Sequence, residues 1–124
     1  MNVYFLDTSA LVKHYHQEKG TDIIEELFAD PGAKFIISDI SIIEFYSAIG
    51  SKVRTGEIEE KVFTSLRKLF SQDIKKGTYE VAEFGSKEKI ESIKLLVKYA
   101  KKYSLKTLDA VQLSVMKSKK KSKD

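Results

Sequence analysis

With 124 residues the chain has room for one domain and a single core. An apolar share of 42% beside 32% charged residues is that of a soluble globular chain rather than a disordered one, and the lack of cysteine excludes disulfides, thiolate nucleophiles and Cys-based zinc sites. The net charge of +4 is carried by the last eight residues, five lysines against Asp124, which leaves residues 1–116 with 17 basic and 17 acidic side chains. No apolar stretch approaches the roughly 20 residues of a membrane span. The N-terminus lacks a basic start, and Asp7 interrupts its apolar segment, so it does not read as a signal peptide. A cysteine-free chain of this kind suits a reducing cytoplasm.

Taken in chain order, Val3–Leu6 reads as a buried strand, short and wholly apolar. Ser9 to about His16 has room for two helical turns. A second short helix fits Thr21–Ala29, with Thr21 as N-cap and Ile23, Ile24, Leu27 and Phe28 as its apolar face. Asp30-Pro31-Gly32 is a turn, and Phe35–Ser38 the second buried strand. Ile40–Val53 is helical by pattern. Glu57 to about Gln72 follows, with Ile58, Val62, Phe63, Leu66, Leu69 and Phe70 at helical spacing. Thr78–Glu83 alternates as a third strand. Lys87–Tyr103 predicts an amphipathic helix with Ile90, Ile93, Leu96, Val97 and Ala100 inward, and Thr107 to about Lys117 the last helix. Strands alternating with helices, and apolar on both faces, imply an α/β fold: a three-layer α/β/α arrangement with a short parallel sheet flanked by helices. Residues 1–116 read as the domain and 117–124 as a basic tail.

Three acidic residues fall where apolar runs give way to helix starts: Asp7 after Val3–Leu6, Glu44 inside Asp39–Glu44 after the second strand, and Asp109 within Leu105–Ala110. In parallel sheets ligands bind beyond the carboxyl ends of the strands, where the following helices begin. Each acid also has a purely structural explanation. Asp7 suits an N-cap, Ser41 and Glu44 have the spacing of a capping box, and Asp109 complements a helix dipole. Together, however, partly buried carboxylates repel one another unless a hard cation neutralises them. That combination points to Mg²⁺-dependent phosphodiester chemistry. His14 and His16, two apart on a presumed helix, point to different faces and make a poor metal pair. Ser9 and Ser38 have no evident general base, and the six glycines are too scattered for a phosphate loop. A phosphotransferase using Asp7 as covalent nucleophile would want a second acid two residues on, where Ser9 stands.

Leu6-Asp7-Thr8-Ser9-Ala10-Leu11-Val12-Lys13, Ser41-Ile42-Ile43-Glu44 and Thr107-Leu108-Asp109-Ala110-Val111-Gln112-Leu113 resemble, in that order, the first three motifs of PIN-domain ribonucleases, and most of all the VapC-like toxins of toxin–antitoxin pairs. The resemblance runs from residue 3 to about residue 116. It implies a PIN-like fold, with Asp7, Glu44 and Asp109 as the catalytic, metal-holding acids and Thr8 or Ser9 orienting the first carboxylate or a metal-bound water. It further implies Mg²⁺ or Mn²⁺ as cofactor, RNA as substrate, a homodimer, and a protein antitoxin that covers the site. Lys13 and the terminal lysines Lys117, Lys119, Lys120 and Lys121 would contact phosphates. In the family pattern another strand follows the third-motif helix and supplies a fourth acid or a Ser/Asp pair. Here a lysine run stands at that point, so a C-terminally truncated sheet and a site short of its fourth acid are expected. The alternative is a PIN-fold protein that binds RNA or an antitoxin without cutting.

Overall fold

The computed structural model describes residues 1–103 and 107–123, with side chains over 1–103 and 109–117. Among the described residues nine elements follow one another: β1 (Val3–Phe5), α1 (Thr8–Tyr15), α2 (Thr21–Phe28), β2 (Lys34–Ser38), α3 (Asp39–Arg54), α4 (Glu60–Lys75), β3 (Tyr79–Ala82), α5 (Ser86–Tyr99) and α6 (Thr107–Lys123). The strands form one three-stranded parallel sheet in the order β1-β2-β3. Val3 pairs with Lys34, Tyr4 with Phe35 and Phe5 with Ile36. The ladder runs one step beyond β1, where the Leu6 amide donates to the Ile36 carbonyl at 2.9 Å. Because β1 and β2 are parallel neighbours in register, their carboxyl ends lie at the same edge of the sheet. The helices that leave them, α1 and α3, therefore start side by side.

The chain folds as two compact units. The first comprises Met1–Ile37 and Ser41–Glu80. Its core joins Leu6, Leu11, Phe35, Ile37, Phe45, Ile49, Leu66 and Phe70, with the Phe45 and Phe70 rings 4.1 Å apart between centroids and tilted by 35°. Beside these rings sits a buried polar chain. The Tyr15 hydroxyl donates to Asp73 Oδ2 at 2.6 Å and lies 2.6 Å from the Tyr79 hydroxyl. Burial raises both phenols far above the ordinary tyrosine range, Tyr15 further so through its bond to Asp73. The second unit comprises Ser38–Ile40 and the chain from Val81. In it Asp39 Oδ1 accepts the Phe84 amide at 3.0 Å, tying the start of α3 to the chain leaving β3. Helices α5 and α6 pack through small residues, Ser92 bonding both the Ser114 hydroxyl (2.9 Å) and the Ala110 carbonyl (3.3 Å).

Four local expectations need correction. Gly20, not Thr21, is the N-cap of α2; its φ of +94° suits glycine. Thr21 is instead buried, donating to the Lys13 carbonyl and accepting the Glu18 amide, which fastens the start of α2 to the end of α1. Helix α4 begins at Glu60 rather than Glu57, leaving Ile58 buried in the connection. Ser41 lies inside the first turn of α3 rather than before it, so Ser41 and Glu44 are not a capping box. Finally, α5 is rotated from the expected face. Ile90, Ile93 and Val97 are exposed, because a close approach to α6 needs the small Ser92 side chain at the contact. Ile23, Val62 and Leu69 are likewise more exposed than their spacing implied.

Candidate functional site

Asp7 stands two residues beyond β1 and is the N-cap of α1: its Oδ1 accepts the Ala10 amide at 2.9 Å. Extended backbone at Asp7 (φ −82°, ψ 176°) is what an N-cap requires, and it turns the carboxylate toward the exposed carboxyl edge of the sheet. Oδ2 takes no hydrogen bond among the described residues.

Glu44 lies one turn and a half into α3, half-buried beside the buried Ser41 and Phe45. Its Oε1 accepts the Thr8 hydroxyl at 2.7 Å; Ser41 Oγ lies 3.4 Å from the same hydroxyl. The strand pairing places α1 and α3 so that residues 36 apart in sequence meet in this bond. Thr8 thus holds the second acid, a bond the resemblance did not name. Ser9 turns elsewhere, its hydroxyl accepting from Lys13 Nζ at 2.9 Å.

Asp109 belongs to the second unit, exposed in the first turn of α6. Among the described residues, no three His, Asp or Glu side chains form a ready group for a metal ion. Asp7 and Glu44 nevertheless offer what a hard divalent cation accepts: anionic oxygens, one at the open edge and one held in place by a hydroxyl. His14 stacks on Phe28 at 3.7 Å and meets Glu25, and His16 faces Glu57, so neither histidine is placed as a ligand to these acids.

The lysines tied by resemblance to phosphates are differently occupied. Lys13 bonds Ser9 and lies 3.6 Å from Glu18, and Lys117 pairs with Glu91 at 2.6 Å. The side chains of Lys119, Lys120 and Lys121 lie outside the described residues. Asp39, which holds the chain after β3, was not singled out from sequence; a bond spanning 45 residues leaves no local signal. No described helix is long and apolar enough to cross a membrane.

The family model of the PIN domain matches residues 4–122. Among solved structures, Mycobacterium tuberculosis VapC20, a toxin that cleaves the sarcin–ricin loop, superposes with a TM-score of 0.70 at 15% identity, over 95% of this chain and 83% of that one. A toxin–antitoxin complex from Klebsiella pneumoniae gives a TM-score of 0.57 at 18% identity, over 97% and 81% of the two chains. No curated protein matches the sequence. At these identities the two structures establish a shared fold, and the family model, covering nearly the whole length, establishes membership: the chain belongs to the PIN-domain family.

Proposed function

We propose that the protein is a Mg²⁺- or Mn²⁺-dependent endoribonuclease, the toxin of a type II toxin–antitoxin pair, with Asp7, Glu44 and Asp109 as the acids that hold the cation. The observation that carries this reading is the Thr8–Glu44 hydrogen bond, which joins the first and second motifs of the family at the carboxyl edge of the sheet. Likeness of fold to a toxin that cleaves the sarcin–ricin loop, and to a toxin–antitoxin complex, supports the substrate class and the kind of partner.

When bound, the cation supplies a nucleophilic water at neutral pH and neutralises charge on the phosphoryl oxygens. Asp7 contributes an anionic oxygen at the open edge while its other oxygen caps α1. Thr8 fixes the Glu44 carboxylate by donating its proton to Oε1, which spares Glu44 a search of rotamers. Hydrolysis by water needs no ribose 2′-hydroxyl and leaves a 3′-hydroxyl and a 5′-phosphate. The outward stripe of Ile90, Ile93 and Val97 on α5 supports a homodimer, since a row of large apolar side chains at helical spacing is a surface that a second copy would cover. Action on RNA and pairing with an antitoxin place the protein in the cytoplasm.

A second reading is kept by the commitments of these acids. Asp7 already caps a helix, Glu44 is already bonded, and no described group of three ligands stands ready. On that reading the chain binds RNA or an antitoxin without cutting. Incubating the purified protein with ribosomal RNA and Mn²⁺ separates the two. Cleavage by wild type that Asp7→Asn and Asp109→Asn each abolish supports the nuclease. Intact RNA with wild type favours the non-cutting protein.

A further inference from the structure

A groove of about 700 Å³ opens in the first unit between α3 and α4, and neither Asp7 nor Glu44 is among its lining residues. Tyr46 is its contribution from α3. It follows Glu44 by two residues, about 200° around the helix, so the two side chains face apart. The rest of the lining comes from α4: Thr64, Arg67, Lys68, Ser71, Gln72 and Lys75. Their spacing of three and four residues forms one stripe, about 16 Å long at 1.5 Å per residue.

The chemistry of this stripe is uniform. Arg67, Lys68 and Lys75 have no carboxylate partner among the described residues, as is also true of Lys87, Lys89 and Lys94 on α5; what distinguishes the three is that they line one groove. Arg67 rests over the Phe63 ring, 5.4 Å from its centroid, which holds the guanidinium without neutralising it. Two hydroxyls, one amide and one phenol complete the set. No aliphatic side chain lines the groove, so it offers none of the anchors by which an amphipathic helix docks. Arginine, lysine, serine, threonine, glutamine and tyrosine are the side chains that contact nucleic-acid phosphates.

We infer that the α4 stripe of Arg67, Lys68 and Lys75 is a binding site for the phosphate backbone of single-stranded RNA, separate from the carboxylate edge. It shares its ligand class with the function proposed above but needs neither metal nor cleavage. A chain held there is bound without choice of sequence, because phosphate contacts fix position and carry no base readout.

The test is anisotropy of a labelled single-stranded RNA, titrated with protein in EDTA at several salt concentrations. Replacing Arg67, Lys68 and Lys75 together by Gln is expected to weaken binding by about tenfold or more near 50 mM salt. The slope of log affinity against log salt should fall by about 2, at roughly 0.7 per phosphate contact. A control with the same loss of charge, Lys87→Gln, Lys89→Gln and Lys94→Gln in the second unit, should bind almost as wild type. Because the titration is run in EDTA and reads binding alone, a failure of the nuclease assignment leaves this result standing. The proposal is overturned if wild type does not bind, if the groove variant binds as wild type, or if the control loses as much affinity. It is also overturned if polyglutamate displaces the RNA as well as unlabelled RNA does, which would make the groove a site for an acidic protein.

Discussion

At Asp7 one carboxylate serves two purposes, and the choice of substitution separates them. Asparagine caps helices as well as aspartate does, while alanine does not. Asp7→Asn should therefore keep the melting temperature of the wild type, and Asp7→Ala should lose about 1 kcal/mol, or roughly 4 °C, in thermal unfolding. A fall in both variants alike would show that charge, rather than the bond to the Ala10 amide, stabilises α1. Thr8 offers a second separation. Thr8→Val keeps the shape but removes the hydroxyl that donates to Glu44 Oε1, and a cleavage rate lower by about 10- to 100-fold is expected, with Thr8→Ser close to wild type. The buried phenols give a pH dependence of defined sign. The folded-state value of Tyr79 is raised above its ordinary value of about 10, so its contribution to stability is complete below pH 10 and is lost as pH rises beyond it. Urea unfolding should show stability falling above pH 10 by up to about 1.4 kcal/mol per pH unit on its account. Tyr79→Phe should flatten that fall while leaving the Tyr15–Asp73 bond intact.

At the scale of elements, the first unit depends on its paired rings. Phe70 is fully buried against Phe45 and Tyr79, and Phe70→Ala should cost about 3–5 kcal/mol, read as a shift of the urea midpoint at constant slope. The elements themselves were legible in the sequence. Apolar runs such as Phe35–Ser38 and periodic ones such as Leu66 and Phe70 identify three strands and six helices to within a few residues at their ends, except that α6 runs to Lys123 rather than stopping near Lys117. The orientation of α5 was not legible. Apolar residues cover too much of its circumference for periodicity to select a face, and the contact was decided by the small residues Ser92, Ala110 and Ser114. The stripe this leaves outward has a consequence in solution. Ile93→Asp should turn a dimer into a monomer in sedimentation if α5 is the subunit interface, and a wild-type monomer would remove that role from the stripe.

For the whole molecule, the order and spacing of three motifs carried the family assignment, which the match over residues 4–122 establishes. The motifs named the acids but not the bonds between them. That Thr8 serves Glu44 follows from the register of β1 on β2, which no local pattern encodes. The basic groove on α4 was equally hidden, since periodicity marks the apolar positions of that helix and leaves Arg67, Lys68 and Lys75 unmarked. The central claim is that Asp7, Glu44 and Asp109 act on one cation. Calorimetric titration of Mn²⁺ into wild type, Asp7→Asn, Glu44→Gln and Asp109→Asn tests it most directly. One site in the wild type, weakened about tenfold or more by each substitution, is the expected result. Unchanged affinity in Asp109→Asn would contradict the account, because the third motif would then lie outside the site.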